Sequence, residues 1–156
     1  MRWLDVDDLI QLNRALIENY TPEEPIGVHD WGGLESAQRA PSFHRYYEQT
    51  EDVYILAAVL LCRIIGNHPF SNANKRTGFA GARVFLRING YALDPDMAET
   101  IAICEGVATH DYCEEQVAAW LADNSAPEIF AQDTPQSAAA REVVASLYPI
   151  KGEPDA

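Results

Sequence analysis

Residues 53–90 read VYILAAVLLCRIIGNHPFSNANKRTGFAGARVFLRING, and the folding of this stretch decides how the rest of the chain is arranged. From Val53 to Ile65 the residues are apolar nearly all round, with Arg63 as the one charge, which is the pattern of a helix buried on every side. Gly66-Asn67 reads as its C-terminal stop. A second helix is expected from about Lys75 to Asn89, with Phe79, Val84, Phe85 and Ile88 facing the core and Gly90 past its end. Between the two lies NHPFSNANKRTG, residues 67–78, which places one histidine, three asparagines and a Lys-Arg pair in a single link.

Outward from this centre the pattern stays helical. Asp5 can cap a helix with Asp7 and Asp8 in its first turn and Leu9, Leu16, Ile17 and Tyr20 near one face; Pro22 and Pro25 end it. Residues 25–43, with three glycines and Pro41, read as a loop-rich region holding one short helical piece near Leu34 to Arg39. Two more helices are expected over 96–109 and 112–123, the second turning Cys113, Val117, Trp120 and Leu121 to one core. Asn124 to Pro127 reads as a boundary, which divides the chain into a domain over 1–124 and an extension over 125–156. In the extension Thr134-Pro135 can start one short helix carrying Ala140, Val143, Val144 and Leu147 on a face, before a soft tail from Lys151 to Ala156. Such a stripe is expected to dock on the domain, because an isolated helix of that length is marginal in water.

Composition bounds the function. A chain of 156 residues with 47% hydrophobic and 22% charged residues can fill one core. The longest apolar run is shorter than the roughly 20 residues that span a bilayer, and the N-terminus lacks a signal-peptide pattern, so a cytoplasmic protein with no membrane partner is expected. Cys62, Cys104 and Cys113 are odd in number and share no Cys-x-x-Cys spacing, so they read as reduced, mostly packed thiols, with neither zinc nor disulfides indicated. The net charge of -13 argues against direct DNA binding. Yet residues 53–90 carry five basic side chains and no carboxylate, while the segments on either side are acidic. Two readings fit: a buried centre that avoids carboxylates, or a local field suited to a small polyanion; five basic residues favour the second.

The residue types in the link point to the same ligand. Asn74 is a natural N-cap for a helix starting at Lys75, and the N–H groups of that first turn form an anion site at the positive end of the dipole. Lys75 adds a compact charge and Arg76 a planar fork of donors. His68 can face that anion across the link, and histidine is the usual proton carrier near neutral pH. Pro69 stiffens the link and Phe70 anchors it in the core. Singly each residue has an ordinary structural explanation; the constellation implies group transfer.

The run His68-Pro69-Phe70-x-Asn72-Ala73-Asn74-Lys75-Arg76-Thr77 resembles the signature of the Fic/Doc proteins, and specifically the Doc, or death-on-curing, toxin branch. Fic AMP-transferases have glycine where this chain has Lys75. The opening Trp3-Leu4-x-Val6-x-Asp8-Leu9, the Gly33 to Ala37 stretch with Pro41, the Phe85 to Tyr91 helix end and the Glu114 to Asn124 helix resemble the usual Doc layout, so the likeness covers about residues 1–124. It implies an all-α fold, a compact helical bundle with a catalytic loop between two central helices. It further implies a toxin, paired with an antitoxin, that moves the γ-phosphate of ATP with Mg2+ to a threonine of elongation factor Tu and blocks translation. Carried over by position, His68 is the general base, residue 72 helps to hold the metal, and Ala73, Asn74, Lys75 and Arg76 bind phosphates. In the family account the lysine reverses the nucleotide so that it presents its γ- and not its α-phosphate. Asn72 departs from the carboxylate most relatives carry; an amide oxygen is a weaker magnesium ligand. The alternatives are therefore a Fic-type AMP-transferase or a catalytically weak module that binds nucleotide or partner. The family's self-inhibiting pattern, Ser/Thr-x-x-x-Glu-Gly/Asn, is approached at Thr100 to Gly106, with Glu105 one residue late, so control by a separate antitoxin is expected.

Overall fold

A computed structural model describes residues 1–128 and 136–146. These form α1 (Val6–Tyr20), α2 (Trp31–Glu48), α3 (Val53–Asn67), α4 (Asn74–Ile88), β1 (Tyr91–Leu93), α5 (Met97–Ala108), α6 (Glu114–Asp123), β2 (Ser125–Pro127) and α7 (Gln136–Ser146). The fold is the all-α bundle the sequence leads one to expect. Among the described residues no helix is long and apolar enough to cross a membrane.

The centre is α3. Nine of its residues, among them Leu56, Val59, Leu61 and Ile64, are buried, and α2, α4 and α6 pack around it. Fully burying each of its larger aliphatic side chains contributes about 1.5–3 kcal/mol. α4 lies so close that a Cβ on Gly78 would come within 2.9 Å of Ile65 Cγ1 and 3.2 Å of the Leu61 carbonyl oxygen. Glycine there fixes how near α4 approaches, and hence where its first turn sits. α1 starts from a reciprocal cap: Asp8 N–H donates to the Asp5 carboxylate at 2.7 Å, and Asp5 N–H donates to the Asp8 carboxylate at 2.9 Å.

Four sequence expectations are corrected. First, the short piece near Leu34 to Arg39 is an 18-residue helix that runs through Pro41. Asp30 caps it by accepting from Gly33 N–H, and Leu34, Ala37, Ala40 and Pro41 bury one face. That burial outweighs the roughly 3 kcal/mol an interior proline costs. Second, Gly66 and Asn67 do not stop α3; both lie inside it or at its last turn, and His68 ends it in the left-handed conformation, φ 49°. Third, Cys113 does not face the core but is exposed at the N-cap of α6, where its N–H donates to Gln116 Oε1 at 2.8 Å. Cys104 is buried, and burial pushes the Cys62 thiol up to about 12. Fourth, the stretch read as a plain boundary contains β2, whose Ser125, Ala126 and Pro127 pair antiparallel with Leu93, Ala92 and Tyr91. Strands of three residues are too short to show a period of two.

α7 lies on α1 and α4 with Ala139, Val143 and Val144 buried. Arg87 of α4 reaches Glu128 at 2.6 Å and Glu142 at 3.0 Å, and the Tyr20 hydroxyl donates to the Val144 carbonyl. Thr134, Pro135, Leu147 and the tail from Lys151 fall outside the described residues.

Candidate active site

The polar link runs from the end of α3 to the start of α4, and its backbone turns through two left-handed residues, His68 (φ 49°) and Ala73 (φ 62°). Phe70 between them is 1% exposed and anchors the link in the core, as its apolar character requires. Asn74 is not the N-cap. It is the first residue of α4 and is 1% exposed; its Oδ1 accepts from Phe70 N–H and its Nδ2 donates to the Phe70 carbonyl, both at 2.9 Å. The reason is satisfaction: these two buried backbone groups need partners, and the amide matches both. Ala73 takes the N-cap position with no side chain to bond the first turn of α4.

Three other elements hold the link. A strap between α1 and α2 runs beside it: Ser71 N–H donates to the Gly27 carbonyl at 2.9 Å, and His29 and Asp30 N–H both donate to the Pro69 carbonyl, at 3.0 and 3.2 Å. Asn72 Nδ2 donates to the Pro25 carbonyl at 2.8 Å. From α1, the buried Asn13 donates through Nδ2 to the Asn72 carbonyl at 2.9 Å and to Thr77 Oγ1 at 3.0 Å. From α3, Asn67 Nδ2 donates to the Gly33 carbonyl of α2 at 2.9 Å. The His29 ring, on the exposed strap, stands 5.9 Å from the His68 ring, tilted by 56°. The site is thus a rigid turn with His68 half-buried at its opening.

Both cations of the link meet carboxylates. Lys75, its side chain 9% exposed, places Nζ 2.8 Å from Glu105 Oε1 of α5; Glu105 therefore reaches the link although it sits one residue off the expected pattern. The Arg76 guanidinium, 1% exposed, donates to Thr21 Oγ1 at 3.0 Å and to Glu24 Oε2 at 3.1 Å, both from the strap. Arg63 and Arg87 likewise meet Glu114, Glu128 and Glu142. The basic stretch is therefore matched by the acidic segments around it, which corrects the expectation of an open positive field. Of the two pairs, the one at Lys75, whose partner Glu105 is 45% exposed and easily hydrated, is the easier for an incoming anion to displace; the pair at Arg76 is enclosed.

Among the described residues no group of three His, Cys, Asp or Glu is placed to cage a metal ion. The side chain at the expected metal position, Asn72, offers one hard donor, its amide oxygen, so magnesium there would have to take most of its ligands from phosphate oxygens and water, while Lys75 and Arg76 would face the phosphate and not the metal. Of the side chains that support the link, sequence reasoning missed Asn13, Thr21, Glu24 and His29, and set Glu105 aside as one residue late. Among the four missed, Asn13 alone left a signal: it is a polar residue on the apolar face of α1, beside Leu9, Leu12 and Leu16.

The model of the Fic/DOC family matches residues 3–86, which include the whole link. The chain is 31% identical to the protein kinase doc of Escherichia phage P1 over 120 residues, 76% of this chain and 91% of that protein. It is 37% identical to the toxin Doc of Mycolicibacterium smegmatis over 100 residues, 61% of this chain and 75% of that protein.

Proposed function

This chain belongs to the Fic/DOC family as a Doc-like toxin of transferase type, and on that premise we propose that it moves the γ-phosphate of ATP to a threonine or serine hydroxyl of a protein, with elongation factor Tu the expected target. The observation that carries the reading is Lys75. It stands in the first turn of α4 with its ammonium 2.8 Å from Glu105 of α5, at a position where a glycine would leave room for the α- and β-phosphates. A lysine fills that room and adds charge, which favours a nucleotide turned with its terminal phosphate toward His68.

In this reading His68 takes the proton of the acceptor hydroxyl as its oxygen bonds to the γ-phosphorus, while the bond from that phosphorus to the bridging oxygen breaks and ADP leaves. The first turn of α4 and Lys75 stabilise the charge on the phosphate oxygens. Asn72 is the side chain that would help to hold magnesium, which neutralises phosphate charge when bound. Phe70, Asn13 and Asn74 keep the link in place, so that the acceleration comes from positioning and electrostatics. A small antitoxin is the expected partner that controls the activity.

A second reading, a Fic-fold module that binds nucleotide or partner with little turnover, has one observation behind it: Asn72 is an amide and is already bonded to Pro25. Purified elongation factor Tu, ATP and magnesium separate the two when phosphothreonine is read by mass spectrometry. The unaltered chain is expected to phosphorylate the factor, and His68→Ala to lose on the order of 100-fold or more in rate while still binding ATP. An equal rate in the variant removes the base assignment, and no phosphorylation by the unaltered chain favours the binding module.

A further inference from the structure

Four of the five cations between residues 53 and 90, Arg63, Lys75, Arg76 and Arg87, meet a carboxylate of this chain. The fifth, Arg83 of α4, has no hydrogen-bond or ion-pair partner among the described residues, in a chain with 24 carboxylates. It is half-buried, and burial pushes its guanidinium below the ordinary arginine value, a change that the charge of Asp94 offsets only in part. A cation taken partly out of water with no counter-charge in contact is an unmet demand for an anion.

Arg83 lines a cleft of about 200 Å³ at the end of α4 remote from the His68 link, closed by β1 and by Glu142 and Val143 of α7. Arg87, one turn further on, lines it too; its terminal nitrogens are taken by Glu128 and Glu142, and its Nε is buried without a partner. The strand adds further donors. β1 pairs with β2 through alternate residues: Glu128 N–H donates to the Gly90 carbonyl at 2.8 Å, Ala92 lies opposite Ala126, and Asp94 N–H donates to the Asn124 carbonyl at 2.9 Å. Backbone groups alternate along an antiparallel strand, so those of Tyr91 and Leu93 point to the unpaired edge of β1, and both residues line the cleft. The remaining wall, at Ala92 and Val143, is apolar.

We propose that this cleft binds a carboxylate with a short apolar body, its two oxygens on the guanidinium fork of Arg83 and its carbons against Ala92 and Val143. The charge of the surroundings sets the class. Glu128 and Glu142 already share Arg87, and Asp94 acts on Arg83, so a phosphate dianion meets three carboxylates, whereas a single carboxylate matches the one unmatched guanidinium in charge and in planar geometry.

The test titrates the full chain with butyrate, 1-butanol and inorganic phosphate, read by saturation-transfer NMR. Butyrate is expected to bind saturably with Kd on the order of 1 mM, with 1-butanol and phosphate at least tenfold weaker. Arg83→Leu is expected to lose binding tenfold or more, and Arg83→Lys, which keeps the charge without the fork, to lose about three- to tenfold, each checked for folding by urea unfolding. A short peptide with a free C-terminal carboxylate, beside its amidated form, separates the sources: binding of the free-ended peptide alone, with butyrate silent, keeps the carboxylate site and makes its donor a protein. Equal binding of 1-butanol, displacement of butyrate by ATP, undiminished binding by a folded Arg83 variant, or binding of neither butyrate nor the peptide overturns the proposal. None of these outcomes bears on the transferase reading, which concerns the first turn of α4.

Discussion

At Asn74 one side chain satisfies both backbone groups of Phe70 inside the core, so its loss leaves two buried polar groups without partners. Each such group costs about 1–3 kcal/mol, and Asn74→Ala is expected to lower stability by about 2–4 kcal/mol in urea unfolding. A loss below about 0.5 kcal/mol contradicts the closed loop described for residues 70–74. The sequence shows an asparagine next to a helix start, and a cap is the ordinary inference; the partner four residues back appears only when Phe70 is buried. Lys75 gives a prediction of the opposite kind. In the proposed function Glu105 competes with phosphate for its ammonium, and half-exposed ion pairs contribute little to stability. Glu105→Gln is therefore expected to raise ATP affinity a few-fold, with stability changed by less than about 1 kcal/mol. Titration calorimetry that finds unchanged or weaker binding excludes Glu105 as the competitor.

Among the elements, α1, α3, α4, α5 and α6 lie close to where capping residues and apolar spacing predict them, because the information that forms them is local. α2 was legible only in part: Pro41 and the glycines signal a loop, and only the burial of Leu34, Ala37 and Ala40 keeps the chain helical. The ribbon of β1 and β2 joins residues more than thirty positions apart and leaves no local pattern. α7 was visible as an apolar stripe, but its seat on α1 and α4, with Tyr20 bonded to Val144, was not. Since Val143 is 4% exposed, Val143→Asp puts an unpaired carboxylate into that contact. The variant is expected to lose about 2–3 kcal/mol and to bind more of an apolar dye. Wild-type stability in this variant contradicts the docking of α7.

Across the whole molecule, a basic centre over residues 53–90 is wrapped by acidic segments, and four of its five cations reach carboxylates from them. The composition made the charge contrast legible and the link made His68, Asn72 and Lys75 legible. Nothing local indicated that Glu24, 52 positions from its partner, closes on the turn, and Glu105, 30 positions from Lys75, was signalled only by a near-match one residue out of step. The consequence is a link whose cations are held in advance by carboxylates, and the proposed function gives Lys75 the choice of which phosphate faces His68. The most direct test incubates the chain with magnesium, elongation factor Tu and ATP labelled at either the γ- or the α-phosphorus. Label is expected on the factor from the γ position alone. Label from the α position makes the chain an AMP-transferase and contradicts the role given to Lys75.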